Sequence, residues 1–293
     1  MDTEPKANNV RGNAYRYTAC AVLAGALLFA YWPVLQWLVL VWGAPSQPFA
    51  GYFAPLVSGL LIWSEREKLA RMVDGGSNWG LLALALAMAM YVGSTWVHIN
   101  VAAGFSLIFT LWALILLLAG RAVARATLFP VGFLLFMLPW AWLSDATTFP
   151  LRLLATQAAA WLPMALNVPT EVVGTDIWVR DHMVRVDLAC SGIKYSISLF
   201  AAALLLLHVM PTTRWRGLLL LLTVLPLSLL ANIIRIDLTI LLILVFGAGA
   251  GEGMWHGATG VFVFIIAAIL LLILEAIICR SSSGDGRSPS AAS

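Results

Sequence analysis

Long apolar runs alternate along this chain with short polar ones, at a spacing set by the thickness of a bilayer. A helix that crosses a hydrocarbon core of about 30 Å needs about 20 apolar residues. Such runs predict helices over 18–41, 48–63, 79–97, 100–119, 123–143, 188–209, 216–246 and 254–278. Residues 144–187 break the pattern, and most of that segment is too polar to span. Its first part, 147–166, sets Leu151, Leu154, Trp161 and Leu162 beside Arg152 and Gln157. This fits an interfacial amphipathic helix or a short re-entrant piece. From Glu171 to Asp187 the period changes to two. Ile177 and Val179, then Val184 and Val186, alternate with polar neighbours around Arg180-Asp181-His182, which predicts a small hairpin. The first 17 residues are polar and basic. The apolar run after them is long enough to span and has no clear small-residue cleavage site, so it reads as a retained first helix. Residues 280–293 are rich in Ser and Gly and read as a disordered tail. No internal repeat and no second domain is visible.

Composition supports the same picture. The 293 residues are 61% hydrophobic and 11% charged, with a mean hydropathy of +0.92. Soluble domains carry about 25% charged residues. The expected fold is therefore an all-α, polytopic integral membrane bundle of about eight transmembrane helices. Residues 1–17 form an N-terminal tail, 18–279 the transmembrane domain, and 144–187 an insertion between the fifth and sixth helices. Thirteen Trp supply anchors for the two membrane interfaces. The net charge of +3 has no basic run long enough for a nucleic acid.

The placement of charge is more informative than its sum. Eight spans put both termini on one side, and cytoplasmic loops carry an excess of Lys and Arg. On the terminal side lie Lys6, Arg11, Arg16, Arg66, Lys68, Arg71, Arg121, Arg125, Arg214, Arg216, Arg280 and Arg287. On the other side lie only Arg152, Arg180 and Arg185. This asymmetry predicts cytoplasmic termini and places 144–187 outside the membrane.

The map brings three reactive side chains to one level. Cys190 stands at the outer end of the sixth predicted helix. Arg235 follows Arg216 by nineteen residues, a rise of about 28 Å at 1.5 Å per residue, which reaches the far face of the core. His256 begins the eighth helix, after the Gly-rich segment 247–253. Each has a structural alternative. A membrane cysteine is usually a small apolar filler, which is how Cys20 and Cys279 read. Arg235 has Asp237 nearby as an ion-pair partner, or can snorkel outward. A histidine at a helix start is often an interface residue. His98, His182 and His208 read as structural or solvated.

The combination is stronger than its parts. A thiol becomes nucleophilic as the thiolate, which a helix N-terminus or a nearby cation favours. Cys190 opens a helix, and Lys194 stands at i+4 on the same face. Ser191-Gly192 leaves room for a substrate backbone. His256 can shuttle a proton to a leaving amine. Arg235 can donate to a developing oxyanion at low dielectric. Asn232, at i−3 from Arg235, can orient it or donate to the substrate. The cysteines have neither metal nor disulfide spacing, and no cofactor or metal is expected.

These residues also carry a resemblance. Ala189-Cys190-Ser191-Gly192, Asn232-Ile233-Ile234-Arg235-Ile236 and His256-Gly257 resemble the exosortase/archaeosortase family of integral-membrane cysteine transpeptidases. The approach 133–139 and Gly174 before the cysteine are similar too, and the likeness runs over roughly residues 20–278. It implies a Cys-Arg-His site that cuts a C-terminal sorting signal from secreted proteins. Such a signal has a short motif, of Pro-Glu-Pro type in bacterial members, then a transmembrane helix and a basic tail. Carried over, Cys190 is the nucleophile, Arg235 the stabiliser and His256 the acid and base. Substrate-orienting positions are Asn232, Ser191, Gly192, Lys194 and Asp187, the last where many relatives have Glu. His256 looks more like the bacterial branch than the archaeal one. The implied location is the bacterial inner membrane with the site facing outward, and the implied partners are the substrate proteins, the bilayer and an acceptor nucleophile.

Two other classes compete. A serine or zinc intramembrane protease would want Gly-x-Ser-x-Gly or His-Glu-x-x-His, and neither is in the sequence. A transporter or surface-polysaccharide assembly factor would want polar residues near mid-bilayer and often repeated halves. Here the polar cluster sits at one face of the last three helices.

Overall fold

The computed structural model describes residues 22–43, 50–139, 145–186, 193–210, 212–247, 249 and 253–280. Within its helices, the side chains at 50, 145–147, 194, 253–256 and 279–280 are not described. Cys20, Asp187, Cys190, Ser191, Gly192 and the two expected tails lie outside the described residues, except for the start and end of the terminal helices. The chain divides into two compact units, one of residues 1–43 and 57–138, the other of 44–56 and 139–293.

The first unit is helical. Helices α1 (Val22–Ala30) and α2 (Trp32–Trp42) meet at a bend of 60°. Pro33 lacks an N–H and crowds the carbonyl four residues back, which accounts for the break. Tyr31 sits in the bend and is fully buried. Its hydroxyl bonds Thr110 Oγ1 at 2.9 Å and Ser106 Oγ at 3.2 Å. Helix α3 (Ala50–Ser64) is followed by the short α4 (Arg66–Arg71). Helices α5 (Trp79–Trp96) and α6 (Asn100–Ala119) form the longest pairing of this unit. Gly80, Ala83, Ala87 and Ser94 make the buried stripe of α5. Small residues let backbones approach, as in many membrane helix pairs. A Cβ at Gly80 would collide with the Cα of Leu117.

The expected span at 123–143 is not one helix. It is α7 (Arg121–Ala126), α8 (Leu128–Phe133) and a 3-10 turn, Leu134–Met137. Pro130 removes the bond to the carbonyl of Ala126, where α7 ends.

The second unit holds the other elements. Helix α9 (Asp145–Ala165) leads into a three-stranded antiparallel sheet of β1 (Thr170–Val173), β2 (Asp176–Val179) and β3 (His182–Arg185), in the order β1-β2-β3. The expected hairpin is β2–β3, with Ile177 opposite Val184 and Val179 opposite His182. His182 thus begins a strand rather than standing in the turn. Strand β1 is an addition: Gly174, at φ 62°, makes the turn that returns it onto β2. Helices α10 (Ile193–Val209), α11 (Arg214–Phe246) and α12 (Gly253–Arg280) complete the unit.

Helix α9 packs by its small residues. Ala155, Ala159 and Ala160 are buried against Ile236, Ile240 and Ile243 of α11 and against Ile177, Val179, Val184 and Val186. Leu151, Leu154 and Trp161, which the sequence offers as its apolar face, are exposed.

Among the described residues, four helices are long and apolar enough to cross a membrane: α5, α6, α11 and most of α12. The bent pair α1–α2 would make five. The expected total of about eight included α3, the 121–137 segment and α10. Each of these is apolar but shorter or broken.

Candidate functional site

Helix α11 has two apolar faces on opposite sides. Leu220, Val224, Leu227 and Ala231 pack with Leu199 and Ala203 of α10 and with Val263, Ala267 and Leu271 of α12. Ile236, Ile240 and Ile243 pack with α9 and the sheet. Between the two runs a polar stripe: Ser228, Asn232, Arg235 and Thr239, spaced by four, three and four residues. That spacing keeps them on one side of an α-helix. All four are buried, Asn232 at 0% and Arg235 at 2% exposure. A charged residue inside a span is costly and faces the interior where it has a function.

Each member of the stripe meets something specific. Ser228 Oγ lies 2.7 Å from Ser196 Oγ of α10. Thr239 Oγ1 donates to the Arg235 carbonyl at 2.9 Å, one turn back. The Arg235 guanidinium carbon lies 5.8 Å from the centre of the Tyr195 ring, a cation–π distance. Tyr195 is fully buried; its hydroxyl donates to the Gly260 carbonyl at 3.4 Å, and its ring stacks on Phe264, centroids 6.4 Å apart. Gly260 closes the cluster from α12. A Cβ there would lie 3.1 Å from the Tyr195 hydroxyl and 3.4 Å from Arg235 Nε.

The Arg235 side chain is buried, and among the described residues no ion pair joins it to Asp237, which sits two positions on and hence across the helix. Asp237 Oδ1 is itself a buried atom without a hydrogen-bond partner among the described residues.

The placement of the other predicted residues follows from the same helices. Gly260 begins the buried stripe of α12 that continues through Val263, Ala267 and Leu271. His256 stands four residues before Gly260 in the chain, about 6 Å along the helix. Tyr195 stands five residues after Cys190 in the chain. Lys194 lies in the first turn of α10. The structure thus brings Arg235 and Asn232 into one buried patch beside α10 and α12. Asp187, Cys190, Ser191 and Gly192 fall outside the described residues, as do the side chains of Lys194 and His256. No group of three or more His, Cys, Asp or Glu able to hold a metal occurs among the described residues.

Tyr195, Ser196, Thr239 and Gly260 were not singled out by the sequence. The spacing Ser228, Asn232, Arg235, Thr239 is legible there as one face of the seventh predicted helix. Tyr195 and Gly260 carried no such signal, because their role depends on how three helices meet.

A membrane chain with a buried arginine patch in its last three helices invites comparison by family. The family model described as transmembrane exosortase matches residues 42–273, most of the chain. The protein belongs to the transmembrane exosortase family. No curated protein and no solved structure matches it.

Proposed function

We propose that this protein is a membrane-embedded cysteine transpeptidase or endopeptidase that removes a C-terminal sorting signal from secreted proteins. Family membership over 42–273 supports the class. The observation that carries the site is the burial of Arg235 against Tyr195 and Gly260, one turn along α12 from His256. A buried guanidinium at low dielectric is the kind of fixed donor that stabilises an oxyanion.

The reaction runs in two halves. The substrate's transmembrane helix lies beside α10–α12, with the scissile peptide at the outer surface. The Cys190 thiolate attacks the carbonyl carbon, and the oxygen becomes an oxyanion held by Arg235. The C–N bond then breaks, the leaving amine takes its proton from His256, and a thioester remains. An acceptor amine or hydroxyl, or water, attacks the thioester and gives its proton to His256, and the thiolate departs. Asn232, Ser191, Gly192, Lys194 and Asp187 orient the substrate or the catalytic groups. The location we propose is a bacterial inner membrane, with both termini in the cytoplasm and 144–187 outside. Helix α11 supports this: its 33 residues span about 50 Å, more than a core of about 30 Å requires, and its C-terminal half carries α9 and the sheet.

The test is co-expression with a reporter that bears a Pro-Glu-Pro motif, a transmembrane helix and a basic tail. The parent enzyme shortens it, and Cys190→Ala and His256→Ala do not. Shortening by Cys190→Ala would overturn the mechanism.

A further inference from the structure

We propose that Tyr195 and Gly260 are positioning residues that fix where the Arg235 guanidinium sits, Tyr195 from α10 and Gly260 from α12. This deepens the reading of Arg235 given above and rests on it. Three contacts define the seat. The Tyr195 ring lies under the guanidinium at 5.8 Å. The Tyr195 hydroxyl is tied to the Gly260 carbonyl at 3.4 Å, which fixes the ring against α12. The missing side chain of Gly260 leaves the space that Arg235 Nε and the hydroxyl occupy, at 3.4 and 3.1 Å from where a Cβ would be.

Burial is what gives these contacts force. Tyr195 and Arg235 are 0% and 2% exposed, so neither side chain has solvent to move into. A methyl group at 260 is tighter than an ordinary contact to the Tyr195 hydroxyl, at 3.1 Å, and in plain contact with Arg235 Nε, at 3.4 Å. The Tyr195 hydroxyl must give by a few tenths of an ångström, and its ring moves with it. Phe264, stacked on the Tyr195 ring, restricts the other direction of escape. The displacement is therefore passed to the guanidinium, whose place relative to a reacting carbonyl matters for rate more than for binding.

The experiment is a double-variant cycle of Gly260→Ala and Tyr195→Phe. The purified proteins are reconstituted in liposomes with the Pro-Glu-Pro reporter described above, and melting temperature is measured on the same samples. Gly260→Ala should lower the melting temperature by about 3 °C, the scale of mild overpacking. It should cut kcat by about tenfold, with KM for the reporter changed less than twofold. Tyr195→Phe removes the oxygen that the new methyl meets and keeps the ring, so in the double variant it should restore part of both losses. The rescue is the readout that separates positioning from general damage. Additive losses in melting temperature, or a Gly260→Ala protein with the parent's kcat and melting temperature, would overturn the seat. The reading of Arg235 itself fails on a different result, an Arg235→Ala protein that cleaves at the parent's rate. The melting-temperature cycle reports on the seat even then.

Discussion

Arg235 Nε on α11 lies 3.4 Å from where a β-carbon of Gly260 on α12 would stand, so the guanidinium packs directly against the backbone of α12. This single approach joins the two halves of the candidate site: the buried stripe Ser228–Asn232–Arg235–Thr239 on α11, and α12, whose first four residues end at His256. It also explains how a guanidinium is tolerated where apolar clusters flank it on both sides. The charge is packed between an aromatic face and a backbone with no side chain, rather than left against hydrocarbon.

Replacing Arg235 by Lys should abolish most of the activity while keeping the protein in the membrane. The ammonium retains the charge but loses the planar fork and most of the donor geometry. Loss of one oxyanion donor typically costs about 10²–10³ in kcat. Initial rates on the reporter, corrected for enzyme amount, check it; a loss below about tenfold would show that charge alone suffices.

Helix α9 offers a prediction about packing. Ala159 is fully buried against α11 and the sheet, whereas Leu154 is half exposed. Ala159→Leu should destabilise by about 1–3 kcal/mol through overpacking. Leu154→Ala should stay within about 0.5 kcal/mol. Thermal unfolding in detergent distinguishes the two, and the reverse order would mean that the large residues make the packing face.

In the first unit, Gly80→Ala should destabilise the α5–α6 pair, because the new methyl would press on the backbone of Leu117 rather than on a side chain that can turn. A cost of about 1–3 kcal/mol is expected. Tyr31→Phe should cost about 1 kcal/mol, since the hydroxyl that bonds Ser106 and Thr110 is lost and their oxygens stay buried. Both are read by melting temperature, and Tyr31→Phe should leave the rate on the reporter unchanged.

The proposed outward topology makes its own prediction. In intact cells, a membrane-impermeant maleimide should label Cys190 in a Cys20→Ser, Cys279→Ser background. Labelling only after the inner face is opened would place the site on the cytoplasmic side.

Much of this was legible in the chain. Apolar run length located the longer helical stretches but not α4, amphipathy marked α9, and alternation at Ile177, Val179, Val184 and Val186 gave the β2–β3 hairpin. Helical rise from Arg216 put Arg235 at the level of the start of the last helix; in the structure Arg235 lies against Gly260, seven residues after the first residue of α12. What escaped were features that a hydropathy pattern does not encode. Pro33 and Pro130 break apolar runs that look continuous by composition. The Val-Gly-Thr turn at 173–175 folds back a third strand whose alternation is weak. Ala155, Ala159 and Ala160 pack where Leu151, Leu154 and Trp161 were the visible apolar set, because small side chains let α9 approach α11 and the sheet closely. Tyr195 and Gly260 matter only once three helices are assembled.

The central claim is a thioester at Cys190, and it can be weighed directly. Enzyme and reporter are mixed in liposomes, quenched in acid during turnover, and the enzyme's intact mass is recorded. The account predicts a fraction of enzyme heavier by the mass of the reporter's N-terminal fragment, released by neutral hydroxylamine and absent in Cys190→Ala. Reporter cleavage with no such adduct under any quench time, or an adduct that persists in Cys190→Ala, would contradict it.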